Sequence, residues 1–251
     1  MTLTELKEKL ESLSPTAVLF VSRIVDSLSE PPQATVNQQG TWLPAEWIEY
    51  FGLALSVHHG TTREPLAQKS FEAVFRNACE SSGWKVGDYF SETERFVDIE
   101  IKNSRLPVQK LSLKSTAAQK LSHTSVHISK LTEAAWIQDM RTARERRKRT
   151  LALFREYQEA VDSIMMLRAF RKGPSIPSMY QLVEIPTAIF SSLQKVSVAA
   201  FNSDGPVVDC PYQEHAVAAR VSLDRSDSKI TVRQILLSAC TVHVEWTVKT
   251  D

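Results

Sequence analysis

The sequence predicts an α/β domain in which helices flank a mixed β-sheet, with a helical region in front of it. Apolar residues recur at helical spacing from Leu3 to Ala78, the period drops to two between Phe96 and Lys114, and short β-branched runs dominate the end of the chain. The 251 residues contain no repeat and no linker-like stretch, so one domain is expected over 1–251, with a helical region at 1–64 and the core at 65–251.

In order, Leu3, Leu6, Leu10 and Leu13 mark a first helix, Pro15 to Ser29 a second that is apolar around most of its circumference, and Trp42 to Val57 a third, with Pro44 near its start. A fourth runs from about Pro65 to Ser81 and is closed by Gly83; Phe71, Val74, Phe75 and Ala78 form its stripe, with Glu72 at the edge. Trp84 to Val86 reads as a strand. Phe96 to Lys102 and Val108 to Lys114 alternate, and 103–107 between them reads as the turn of a hairpin. A helical period returns from about Ser129 to Phe170, where Leu153, Tyr157, Ala160, Ile164 and Leu167 form an apolar seam. A helix of that length implies a kink or a partner helix. After Gly173-Pro174, Met179 to Ile185 reads as a strand, Pro186 to Lys195 as a short helix and Asn202 to Pro211 as loop. Ala216 to Leu223, Lys229 to Thr231 and Ala239 to Lys249 read as strands.

Hydrophobic residues at 43% and charged residues at 24% are those of a globular chain, and no apolar run is long enough for a membrane span. The first ten residues carry acids and a helical period in place of a basic-then-apolar leader, and the 3 cysteines are dispersed without a CxxC. A cytoplasmic protein without membrane attachment, disulfide frame or zinc site is expected. His123 and His127 have no nearby acid to complete a zinc site. No GxxxxGK[ST], GxGxxG or GxSxG occurs, which argues against the usual nucleotide-binding and serine-hydrolase classes.

The net charge of +1 conceals an asymmetry: Lys102 to Arg149 holds twelve Lys/Arg against three acids, a net of +9, and the rest of the chain is −8. Such a block points to a polyanion, most commonly nucleic acid, although a solvated basic face has the same composition. Arg105, Lys110, Lys120, Lys130, Arg141, Arg144, Arg147 and Lys148 are the candidate DNA contacts. The run Arg141 to Arg149 spreads around a helix, so only part of it can face one groove.

Chemistry concentrates between Asp98 and Lys114. On the first hairpin strand Asp98, Glu100 and Lys102 share a face, and on the second Lys110, Ser112 and Lys114 do the same. If the strands pair, carboxylates and ammonium groups converge. Carboxylate oxygens can hold a hard divalent ion completed by water, and a lysine can orient the attacking water and offset charge on a phosphate.

A helix with Phe71-Glu72, then a strand, then Asp98 opening a hairpin, then Leu111-Ser112-Leu113-Lys114-Ser115-Thr116, resembles the PD-(D/E)xK nuclease superfamily and, within it, a type II restriction endonuclease. The resemblance covers about Pro65 to Glu133, with a looser echo in Tyr180 to Pro186. It implies a restriction-endonuclease-like sheet and Mg²⁺-dependent, site-specific cleavage of double-stranded DNA, most simply by a homodimer whose interface the apolar seam would provide. Two registers are open. In the favoured one Asp98 is the motif aspartate, Lys114 the motif lysine and Ser112 replaces the usual acid. Asp98 and Glu100 are then the candidate metal ligands, with Glu72 or Glu133 as other sources of the second carboxylate. In the other register Glu100-Ile101-Lys102 is a literal ExK and Asp88 the upstream aspartate. Val97 precedes Asp98, so the Pro of the motif is missing. Two rival readings remain: a DNA-binding module whose hairpin is only a solvated face, and a repair or RNA-processing nuclease of the same superfamily.

Overall fold

The computed structural model describes residues 2–87, 95–103, 107–173 and 175–249. Thr2 and Glu5 form a capping box on α1 (Leu3–Glu11), and Ser14 followed by Pro15 opens α2 (Pro15–Ser29). Neither helix has a buried residue. β1 (Gln33–Val36) follows, a strand too short to show a period in the sequence. α3 (Ala45–His59) and α4 (Gln68–Ser81) bury Trp47, Phe51, Phe71 and Phe75 in one aromatic core. α4 begins at Gln68 and not at Pro65, and Gly83 follows its end at φ +76°, a left-handed conformation that favours glycine.

Next come β2 (Lys85–Gly87), β3 (Ile99–Lys102), β4 (Gln109–Thr116), β5 (Ser125–Glu133), α5 (Ala143–Ala160), β6 (Ser163–Phe170) and β7 (Met179–Pro186). After a 3₁₀ helix at Thr187–Lys195 the chain closes with β8 (Val207–Tyr212), β9 (His215–Asp224), β10 (Lys229–Leu236) and β11 (Thr241–Thr247). A seven-stranded sheet has the order β1-β11-β7-β6-β4-β3-β2, and a four-stranded sheet the order β5-β10-β9-β8. Among the described residues of the larger sheet, only β4 and β6 are parallel. One face of that sheet meets α3 and α4; the other lies under α5 and the smaller sheet. Among the described residues no helix is long and apolar enough to cross a membrane.

The stretch expected to be helical from Ser129 to Phe170 is instead the second half of β5, α5 and β6. β6 is buried on both faces, with Ile164 and Met166 in one core and Met165 and Leu167 in the other. A doubly buried strand is a continuous apolar run, and periodicity alone does not separate it from a buried helix. The expected seam therefore does not exist as a helix face. Leu153, Tyr157, Ile164 and Leu167 are all interior, at most 4% exposed, and none is left for a partner subunit. The expected loop at Asn202 to Pro211 contains β8, an edge strand, where a proline such as Pro211 is tolerated.

Candidate active site

The β3–β4 pairing sets Glu100 opposite Lys110 and Ile99 opposite Leu111. Ile99, Ile101, Leu111 and Leu113 consequently enter the aromatic core, and the polar residues between them take the other face. Pairing ends at Ile99, and beyond Leu111 the edge of β4 on that side has no strand beside it among the described residues. Side chains satisfy it instead.

The Asp98 N–H donates to the Leu111 carbonyl at 2.9 Å. Its carboxylate Oδ2 then accepts from the Leu113 N–H at 2.6 Å, from Ser112 Oγ at 3.1 Å and from Lys114 Nζ at 3.2 Å. Further along the edge, Gln68 of α4 donates Nε2–H to the Leu113 carbonyl at 2.6 Å and accepts from the Ser115 N–H at 2.6 Å. The carboxamide takes the place of the missing strand residue, as buried backbone groups require. Gln68 Nε2 also donates to Glu72 Oε1 at 2.7 Å, one helical turn on. A second carboxylate is thereby held against the strand that carries Lys114. A cavity of about 320 Å³ opens there, with Gln68, Glu72, Lys114, His127 and Lys130 in its wall.

Lys114 and Asp98 keep 22% and 30% of their side-chain surface, accessible yet fixed. Ser112 is 1% exposed, and its hydroxyl orients Asp98. Neither Asp98 nor Glu100 lines the cavity itself; Asp98 reaches it through its contact with Lys114, whereas Glu100 stands opposite Lys110. Glu133 is exposed and paired with Lys130 at 2.6 Å; that hydrogen bond holds its carboxyl below the usual value. Lys102 is exposed, stands across from Lys85, and meets no carboxylate among the described residues. Asp88, on which the other register depends, and Arg105 lie outside the described residues.

Glu184, in the strand that gave the looser echo, belongs to a different network. Its Oε2 accepts from Trp42 Nε1 at 2.9 Å and meets Nε2 of the buried His243 at 2.9 Å. Burial raises the Glu184 pKa, but these hydrogen bonds outweigh it and hold the carboxyl low.

The basic block divides. Arg141, Arg144 and Lys148 are exposed and Lys120 is at the surface, whereas Arg147 donates to the carbonyls of Val196 at 2.7 Å and Gln194 at 3.5 Å. Arg147, expected at DNA, is thus committed to the end of the 3₁₀ helix. Buried Arg146 likewise donates to the Phe201, Met140 and Asn202 carbonyls. Lys110 donates its N–H to Asp162 Oδ2 at 2.7 Å.

Sequence reasoning missed Gln68. Its only sequence signal is that it precedes Glu72 by four residues on the polar side of an amphipathic helix.

The fold thus brings a helix carrying Glu72, a hairpin carrying Asp98 and Lys114, and a parallel crossover from β4 to β6 together at one edge of the larger sheet. The chain belongs to the SmaI family of type II site-specific deoxyribonucleases, whose family model matches residues 6–248. It is also similar to the type II restriction enzyme SmaI of Serratia marcescens, 26% identical over 210 residues that cover 80% of this chain and 79% of the relative. No solved structure matches the chain. The protein is therefore a type II restriction endonuclease, and its substrate is DNA.

Proposed function

We propose that the protein hydrolyses both strands of duplex DNA at a short specific site, with Mg²⁺, at the corner where Lys114 meets Asp98, and that it acts as a homodimer. The observation that carries this is the 3.2 Å contact of Lys114 with Asp98, beside a cavity that Glu72 also lines. Among the described residues no three His, Cys, Asp or Glu side chains converge. Mg²⁺ commonly uses one or two carboxylates and keeps its remaining waters, so this donor set fits it. Asp98 has its second oxygen free of the three donors on Oδ2, and Glu72 is steadied by Gln68. These two would hold the ion; Glu72 is preferred to Glu100 because Gln68 ties it to the β4 edge and it lines the cavity with Lys114, the residue that Asp98 contacts. When bound, the ion would supply Lewis-acid polarisation of the scissile phosphate.

The chain's own residues do the rest. Asp98 aims the Lys114 ammonium, and Ser112 and the Leu113 N–H keep Asp98 from turning. Lys114 Nζ orients the attacking water and offsets negative charge that builds on the phosphate. In Mg²⁺ or Mn²⁺, phage DNA is expected to give discrete fragments, and excess EDTA to abolish them. Cleavage that persists in EDTA overturns the metal reading, and retention of DNA without any product favours the binding module.

Support for the homodimer comes from α1 and α2. Leu19 and Phe20 are 69% and 54% exposed, and Leu3, Val18 and Val25 are also at the surface. Two helices that bury no residue of their own leave these side chains for another surface to cover, and two cuts on opposite strands suit a two-fold assembly. Light scattering is expected to give a dimer, and a Leu19→Glu, Phe20→Glu variant a monomer. A wild-type monomer both free and on DNA refutes this assembly.

A further inference from the structure

The smaller sheet carries a feature that its own stability does not explain. Between the pairs Val232–Ile128 and Ile235–Val126, β10 has two residues, Arg233 and Gln234, where β5 has only His127. Such a bulge re-aims side chains and is common beside active sites. Here it suspends the in–out alternation, so that Arg233 and Gln234 are consecutive and both exposed. Both line a cavity of about 580 Å³. Gln234 has φ +51°, a left-handed conformation that costs free energy for a residue with a side chain and persists only where its surroundings impose it.

The charges around this cavity are as unusual as the backbone. Arg220 of β9 stands directly across from Arg233, and like charges placed so oppose strand pairing. Arg220 is braced by Asp209 Oδ1 at 2.9 Å and donates through Nη1 to Gln234 Oε1, which fixes the carboxamide, while its amide N–H groups donate to no partner among the described residues. The Arg233 guanidinium has no hydrogen bond or ion pair among the described residues. Lys120 and Arg168 also line the cavity, and no carboxylate does. Thr116 and His127 belong to the walls of both this cavity and the one at Lys114, so the basic cleft opens onto the proposed site of cleavage.

We infer that Arg233 and Gln234 read base edges of the bound duplex beside the scissile phosphate, with Arg220 as the positioning residue for Gln234. The inference rests on the function proposed above. An arginine fork matches the O6 and N7 acceptors of guanine, and a fixed carboxamide matches the edge of adenine. Lys120, a point charge on a flexible stem, suits phosphate contact instead.

The test begins with wild-type protein, Mg²⁺ and whole phage DNA, whose fragment ends are sequenced to define the site. No discrete ends would overturn the proposed function itself, before any variant is made. With the site known, cleavage of a duplex that carries it and of its single-base variants is compared for wild type, Arg233→Lys, Arg233→Ala and Gln234→Ala. Circular dichroism verifies folding, and Arg233→Lys keeps the charge should the alanine variant be unstable. Arg233→Lys and Gln234→Ala are each expected to lose about 10–100-fold of discrimination at one position of the half-site and to keep it elsewhere. Arg220→Ala is expected to relax the same position as Gln234→Ala, which a purely structural defect would not do. Lys120→Ala is expected to weaken binding to every duplex alike and to lower the salt slope by about one. Unchanged preference at every position in Arg233→Lys and Gln234→Ala, or a loss uniform across sequences, overturns base reading by this cleft and leaves the cleavage site standing.

Discussion

The edge of β4 and the bulge of β10 face adjoining cavities and handle charge in opposite ways. At β4 the working charges are neutralised within the fold: Lys114 is held by Asp98, Lys130 by Glu133, and the backbone edge by Asp98 and Gln68. At β10 two arginines oppose each other across strands, Arg220 held by Asp209 and Arg233 without a hydrogen bond or ion pair among the described residues, and none of the residues lining the cavity is acidic. A paired cation has a fixed direction, which suits chemistry at one phosphorus atom. An unpaired cation such as Arg233 costs stability until a partner arrives, and the partner proposed for it is the DNA substrate.

The largest effect expected from breaking this arrangement is at Lys114. Lys114→Ala is expected to slow single-turnover cleavage by about 10²–10⁴-fold, the usual cost of losing a proton-transfer or positioning group, and Lys102→Ala to leave substantial activity. The reverse pattern would move the site to the Glu100–Lys102 register.

Next comes Gln68, which contacts no substrate in this scheme. Gln68→Ala leaves the Leu113 carbonyl and the Ser115 N–H without partners and releases Glu72. A loss of about 10–100-fold in cleavage is expected, as for other groups that orient metal ligands. Denaturant unfolding is expected to show destabilisation of about 1–3 kcal/mol. Wild-type rates in a destabilised variant would reduce Gln68 to a strand partner and remove Glu72 from the site.

A smaller effect separates free from committed arginines. Arg144→Ala and Lys148→Ala are each expected to flatten the slope of log K against log[salt] by about 0.9 if they meet phosphates. Arg147→Ala is expected to leave the slope unchanged and to lower the unfolding midpoint, because its guanidinium holds the Val196 and Gln194 carbonyls. A slope that responds to Arg147 alone would invert this division.

The smallest effect is on pH dependence. Burial, then Arg233 and Lys229, hold the His127 pKa below its usual 6.5, and burial does the same to His59. Below about pH 6.5 the unfolded chain takes up these protons while the folded chain resists, so acidification favours unfolding from there down to the folded pKa values. Urea midpoints are expected to fall between about pH 7.5 and pH 5.5, and less so in His127→Gln. A midpoint that rises on acidification would contradict the lowered values. Arg233→Ala is expected to raise the His127 pKa, measurable by NMR titration, because it removes one of the repelling cations.

The faces of the hairpin strands were legible in the sequence because alternation needs only the pleat: Asp98 and Glu100 share a side of one strand, Ser112 and Lys114 share a side of the other, and burying the apolar residues between them makes the two sides coincide. The Lys102–Arg149 asymmetry was legible as composition. It did not reveal that Arg146 and Arg147 are held by backbone carbonyls, because capping of a distant 3₁₀ helix leaves no local signal. β10 was legible only as far as Thr231, because Arg233-Gln234 interrupts the alternation from which a strand is recognised, and that interruption is the bulge.

The sequence by itself determined the class of fold, the nuclease resemblance and the residue types at the β4 edge, since these follow from local period, motif order and charge. Tertiary structure alone decided that 163–170 is a doubly buried strand and not the end of a long helix, because burial on two faces erases the period. It alone brought Gln68 and Glu72 to Lys114, because the contact spans more than forty residues and depends on where β3 stops pairing. It alone set Arg220 against Arg233, because register between strands is fixed by the packing of their buried faces.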